Sequence, residues 1–255
     1  YLQTQKDFEH NFGLDKSKKG LVIGKMFGVL IVQNRQNKIG YVTAVSGKLA
    51  GKNIHKKFVP PVYDMLTKDS YFLKEEQVLN SINSDIEKLE NTPVYQKLLS
   101  NFNIKKEKAT IDIQEKKEVL KAEKIKRDIK RKKGQTNLTL EAYSILEKEL
   151  SNNSLEAKYY FNNVKRYWEH TLNDLKEKIS VFTNQIDHLK EQRKTKSAAL
   201  QQYLFEQYQF LNSNREVKNL SELFANTTDQ NPPAGSGECA APKLLQYAFL
   251  NDLTP

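Results

Sequence analysis

Val164, Trp168, Leu172, Leu175, Ile179, Phe182, Ile186 and Leu189 follow one another at steps of 4, 4, 3, 4, 3, 4 and 3. That is a seven-residue apolar repeat sustained for more than three heptads. An α-helix keeps such a stripe on one side by supercoiling left-handed against a helical partner. A chain with this stripe must supply a second helix or recruit a second molecule. The upstream sequence offers one. Leu79, Ile82, Ile86 and Leu89 recur at helical spacing, Thr92-Pro93 interrupts, and proline is well tolerated in the first turn of the next helix. That helix is expected to run through Leu98, Val119, Ile125 and Ile129 to Lys133. Gly134-Gln135-Thr136-Asn137 reads as the first break, with the glycine suited to a C-cap and Asn137 or Thr139 to capping the return. A second polar break is expected at Ser151-Asn152-Asn153-Ser154. Two long helices joined by a short turn pack most simply as an antiparallel hairpin. An unbroken arm of roughly 60 residues would reach about 90 Å, and the interruptions at Pro93 and Ser151 predict a shorter or jointed one. The alternative is a homodimer through the Trp168–Leu189 seam.

The N-terminal quarter has another texture. Leu21-Val22-Ile23, Phe27 to Val32 and Ile39 to Val45 are β-branched and aromatic, and the polar run Gln33 to Lys38 suits a hairpin turn. Pro60-Pro61 ends extended pairing. Asn226 to Gly237 is polar with two prolines and two glycines and reads as a linker, after which Pro242 to Leu250 reads as a short apolar helix. The expected fold class is α+β, mainly α: a small β-hairpin module (1–70), an antiparallel coiled-coil arm (71–215), and a linker leading into a following domain (216–255). Residue 1 is tyrosine and the last residues follow an apolar helix abruptly, so the chain reads as a piece of a longer protein.

With 38% hydrophobic and 28% charged residues, an extended architecture fits better than one large core. The net charge of +10 is concentrated. Between Lys105 and Lys133, thirteen cations meet six anions, a surplus of seven, and seven of the ten residues from Lys124 to Lys133 are cationic. Some of this suits a helix C-terminus, whose dipole favours cations, and coiled-coil surfaces are normally charged. A solubilising face mixes signs, however, so the excess of one sign points to phosphate contact. Lys124, Lys126, Arg127, Lys130, Arg131, Lys132 and Lys133 are therefore the candidate RNA-binding residues.

Other chemistry finds no support. Ser46-Gly47-Lys48-Leu49-Ala50-Gly51-Lys52-Asn53 imitates a P-loop, but its glycine spacing is short and Asn53 stands where a magnesium-binding hydroxyl belongs. His10, His55, His170 and His188 are scattered, and Cys239 is the one cysteine, so no disulfide and no zinc site is expected and a reducing compartment fits. Glu238-Cys239 lacks the second cysteine of a zinc deaminase. Tyr203, Phe205, Tyr208 and Phe210 carry rings suited to base stacking, but their spacing suits packing better. No segment is apolar enough to span a bilayer, and no catalytic residue, cofactor or metal is expected.

Two segments resemble a known family. One runs from Gly24-Lys25-Met26-Phe27-Gly28 through Ile39-Gly40-Tyr41 and Ser46 to Gly51 as far as Phe58-Val59-Pro60-Pro61-Val62-Tyr63-Asp64; the other is Pro232 to Ala248. Both resemble the long N-terminal extension of bacterial RluA-like RNA pseudouridine synthases, which also carries a lysine-rich coiled coil between them. The resemblance implies a cytoplasmic, cofactor-free parent enzyme that isomerises uridine to pseudouridine in ribosomal or transfer RNA. Its catalytic aspartate lies in a His-Arg-Leu-Asp type motif. Here Arg35, Arg127, Arg131, Arg166, Arg193 and Arg215 are never followed by Leu-Asp. The resemblance thus implies a non-catalytic region that engages RNA and has its own C-terminal catalytic domain as a partner. The alternative is a coiled-coil protein-interaction module.

Overall fold

The computed structural model describes residues 24–228 and 230–255. The strand expected at Leu21-Val22-Ile23, and His10, lie outside the described residues. Ten elements follow in order: β1 (Phe27–Gln33), β2 (Ile39–Val45), α1 (Tyr71–Glu90), α2 (Pro93–Asn137), α3 (Leu140–Gln207), β3 (Gln209–Leu211), β4 (Val217–Asn219), α4 (Leu220–Phe224), a 3₁₀ turn (Ser236–Glu238) and α5 (Ala240–Leu250). This is the mainly helical α+β class with a small hairpin and a short C-terminal helix. It divides into two compact units, one formed by Ile82–Glu191 and the other by the residues up to Ser81 together with Gln192–Pro255.

The Ile82–Glu191 unit is an antiparallel helical hairpin. Pro93 stands at the first position of α2, and Thr92 before it is extended (φ −60°, ψ 126°), the conformation that proline imposes on its predecessor. Leu89, Ile82 and Ile86 of α1 and Tyr95 and Leu99 of α2 enclose Ile179, Phe182, Ile186 and Leu189 of α3. The Tyr95 and Phe182 rings stack with centroids 5.3 Å apart. The heptad stripe is therefore covered within one chain over this stretch. Farther out, Trp168 donates its indole N–H to Asp112 at 2.8 Å, and Arg131 pairs with Glu147 at 3.0 Å. As the number rises along α2 it falls along α3, which is antiparallel pairing.

Both expected breaks are corrected. α2 continues past Gly134 to Asn137, and the turn is Leu138-Thr139. Thr139 caps the return, its hydroxyl accepting from the Ala142 N–H at 3.4 Å. Gly134 is a close-approach glycine rather than a cap: a Cβ there would lie 2.7 Å from a Leu146 methyl and 3.2 Å from the Tyr143 ring. α3 runs straight through Ser151–Ser154. Serine and asparagine each cost a helix only a few tenths of a kcal/mol, and burial of Leu150, 2% exposed, on the adjacent turn outweighs that. Val119, Ile125 and Ile129, through which α2 was expected to run, are exposed.

In the other unit, β1 and β2 pair antiparallel from Phe27↔Val45 to Gln33↔Ile39. Asn34 closes the turn, its side-chain oxygen accepting from the Gln36 and Lys38 N–H groups, with Asn37 left-handed at φ 60°. Strand alternation sends Leu30, Val42 and Ala44 inward onto Val59 and onto Ala240, Leu244 and Tyr247 of α5. Val29, Ile31, Ile39 and Tyr41 face outward and are exposed. A second cluster gathers Phe205, Tyr208, Leu220, Tyr63 and Phe224. α5 packs onto the β1–β2 hairpin, and the polar stretch before it buries Pro232 and Gly237.

A candidate nucleic-acid interface

The two segments of the family resemblance meet in one place. A Cβ at Gly28 would lie 2.9 Å from Leu244, so the glycine lets α5 lie close on β1. Gly47 (φ 56°) donates its N–H to the Glu238 carbonyl at 3.0 Å. Gly237 faces the Tyr208 ring, which a Cβ would reach at 2.4 Å. Beneath this contact sits a buried polar trio. Tyr208 donates to Glu238 Oε1 at 2.6 Å, and Lys243 donates to Glu238 Oε2 at 2.8 Å and to the Val45 carbonyl at 3.3 Å. Lys243 is 2% exposed. Burial, then the neighbouring Glu238 carboxylate, pushes the Tyr208 phenol well above its ordinary value. Each charge in the trio is consumed by another, so it reads as a structural lock. The P-loop-like segment is also structural: Asn53 is buried and donates to Asp64 at 2.7 Å.

The basic cluster forms the distal part of α2, where lysine and arginine are good helix formers. The seven candidates fall into three groups. Lys124, Lys126, Lys130, Lys132 and Lys133 are exposed. Arg131 is half-buried and shared between Glu147 and Asp128, bonds that raise its affinity for its proton further. Arg127 is 7% exposed and lies on the same side of α2 as the buried Ala109 and Gly134. Arg131 is thus committed within the protein, and Arg127 is withdrawn from the outer surface. Lys126 bonds Glu123 at 2.7 Å, holding that carboxyl below its ordinary value, and Arg127 and Lys130 act in the same direction. A solvent-screened pair of this kind holds its partners weakly, so Lys126 stays available to a stronger anion. Glu141, Glu147, Glu149 and Glu156 lie on the first turns of α3 and offset part of the surplus.

The four rings whose spacing suited packing better than base stacking do pack. Phe205 and Tyr208 belong to the buried cluster, and Phe210 packs against Tyr208 with centroids 6.4 Å apart. Tyr203 lies 4.6 Å from the Tyr71 ring and 3.4 Å from the Tyr63 hydroxyl. Tyr159, Tyr160 and Tyr167 of α3 are exposed instead, and Tyr160 shares a cleft with Lys126, Arg127 and Lys130. Their signal is tyrosine on the outer positions of a coiled coil, where charged residues are usual.

Among the described residues, no three His, Cys, Asp or Glu side chains come together in a way that would hold a metal ion. Among the same residues, no helix is long and apolar enough to cross a membrane. His170 is exposed and pairs with Asp174 at 3.2 Å, and Cys239 is half-exposed at the N-cap of α5 without a disulfide. Comparison with models of protein families, with curated proteins and with solved structures gives no match to this chain.

Proposed function

We propose that this chain is the RNA-engaging, non-catalytic N-terminal region of a cytoplasmic RNA pseudouridine synthase, whose C-terminal catalytic domain needs neither metal nor cofactor. The observation that carries the RNA reading is the exposure of Lys124, Lys126, Lys130, Lys132 and Lys133 at one end of the helical hairpin. Five solvated ammonium groups on one helix meet a phosphate backbone, and phosphate contact is the main source of affinity in such complexes. The link to pseudouridine synthases rests on the Gly24–Asp64 and Pro232–Ala248 resemblance. The test is fluorescence anisotropy of the full chain with ribosomal and transfer RNA across a salt series. Binding at micromolar concentration or tighter with a steep salt slope supports the reading; no binding near physiological salt refutes it.

One observation favours a second reading. Ile104, Ile111, Val119, Ile125 and Ile129 form an exposed apolar stripe along the side of α2 opposite its buried residues. Phosphates have no use for such a stripe, whereas a partner helix does. Under this reading the protein self-associates or binds an acidic helix and ignores RNA, and light scattering with the same anisotropy series separates the two.

A further inference from the structure

The hairpin buries one cation that its own structure does not use. Arg127 is 7% exposed, and among the described residues it makes no hydrogen bond and no ion pair. Glu123, one turn earlier, feels its charge but is hydrogen-bonded to Lys126. The buried part is the aliphatic stem: among the described residues none of the guanidinium nitrogens is both shut off from solvent and unpartnered, so the head group reaches solvent with no protein partner. The arginine opens onto a cleft of about 440 Å³, a size that suits a small ligand. Lys126, Arg127 and Lys130 line it from α2, and Asn153, Glu156 and Tyr160 from α3.

We propose that this cleft holds a single nucleotide of a polynucleotide strand, with a backbone phosphate on Arg127 and the base against Tyr160. The inference rests on the RNA reading above and narrows it to a site. A planar guanidinium matches two phosphate oxygens at once. Lys126 and Lys130 at the rim meet the phosphates on either side of it. Tyr160 is 57% exposed and offers a ring face to any base. Asn153 presents an amide donor and acceptor, and the Glu156 carboxylate accepts from an amino group or a ribose hydroxyl while repelling a second phosphate.

The probe is a fluorescein-labelled oligouridylate of about ten nucleotides, within the length one binding groove covers. Arg127→Met keeps the buried stem and removes the charge. The expected result is a loss of affinity of about tenfold to a hundredfold, with a melting temperature that stays level because the charge has no protein partner to lose. Arg127→Lys, which keeps the charge without the fork, falls between the two. Tyr160→Leu, at an exposed position, weakens binding by about fivefold or more and leaves the melting temperature unchanged; it decides the matter if Arg127→Met fails to fold. Steep salt-dependent binding that both variants leave intact overturns the cleft while sparing the RNA arm. Absence of binding by the unaltered protein overturns both.

Discussion

Glu238→Gln isolates what the buried trio contributes. The substitution keeps the side chain's shape and removes the charge that faces Lys243. The amide oxygen can still accept from the ammonium, and its NH₂ can turn to the Tyr208 hydroxyl. The ammonium is then left 2% exposed, with the Val45 carbonyl at 3.3 Å and the Lys25 cation near enough to repel it. Breaking a buried pair by removing one partner costs about 3–5 kcal/mol. Replacing both charges is far milder, so Glu238→Gln with Lys243→Met recovers most of the loss, with a coupling of about 2 kcal/mol or more. Trp168 belongs to the helical hairpin, so its fluorescence does not report on this unit. Hydrogen exchange of amides in β1, β2 and α5 does. A loss of 3 kcal/mol accelerates their exchange on the order of a hundredfold. Acceleration of less than about threefold by Glu238→Gln, or a double variant exchanging as fast as the single one, would refute the assignment of a charge lock.

Burial pushes the Tyr208 phenol up, and burial followed by the bond with Tyr203 pushes Tyr63 up to about 12. Both groups keep their protons in the fold where the unfolded phenol, near pH 10, ionises, so unfolding releases protons. Stability is therefore full below about pH 10 and falls above it, by up to about 1.4 kcal/mol per pH unit for the buried Tyr208; denaturant titrations at pH 8 to 11 should show a shallower fall in Tyr208→Phe. Replacing Lys124, Lys126, Lys130, Lys132 and Lys133 by glutamine should lower the salt slope of RNA binding by about 3.5 to 4.5, whereas Arg131→Gln leaves the slope alone and loosens the turn. Leu150→Ala should cost about 2–5 kcal/mol in thermal or denaturant unfolding, and Leu155→Ala, exposed on the same stretch, less than about 0.5; equal costs would mean that the pairing of α3 is misassigned.

The elements with a strong period were legible. Val164 to Leu189 is a covered stripe, β1 and β2 fall where alternating β-branched residues placed them, and Pro93 opens α2. Punctuation residues misled. Gly134 looked like a helix end because glycine suits a C-cap, yet its role is close approach to Leu146 and Tyr143, which only the partner helix reveals. Ser151–Ser154 looked like a break because polar residues favour turns, yet tertiary packing of Leu150 overrides propensity. The lysine run was plain, but its division into solvated, committed and buried cations depends on which side of α2 meets α3. Val119, Ile125 and Ile129 marked the course of the helix but not that they are exposed.

That division has an energetic consequence for the arm. Where α1 and α2 begin to pack on α3, the seam is apolar: Ile82, Ile86, Tyr95 and Ile186 are buried together. Toward the turn the shielded side of α2 carries Arg127 and Gly134 in line with the half-buried Ile113 and Leu120, with Asp112, Glu123 and Arg131 at its edges. Trp168 satisfies Asp112, Lys126 satisfies Glu123 and Glu147 satisfies Arg131, but hydrogen bonds and solvent-screened pairs return less than a buried aliphatic side chain. The distal hairpin is therefore the part that opens first, with amide exchange in 117–137 faster than in 95–110. An RNA bound there adds its own free energy to that weak segment, about 2.7 kcal/mol at a hundred times Kd. Exchange in 117–137 should then slow on the order of a hundredfold while 95–110 changes little. Protection spread evenly along α2, or concentrated near Tyr95, would place the ligand elsewhere and remove the basic end from the interface.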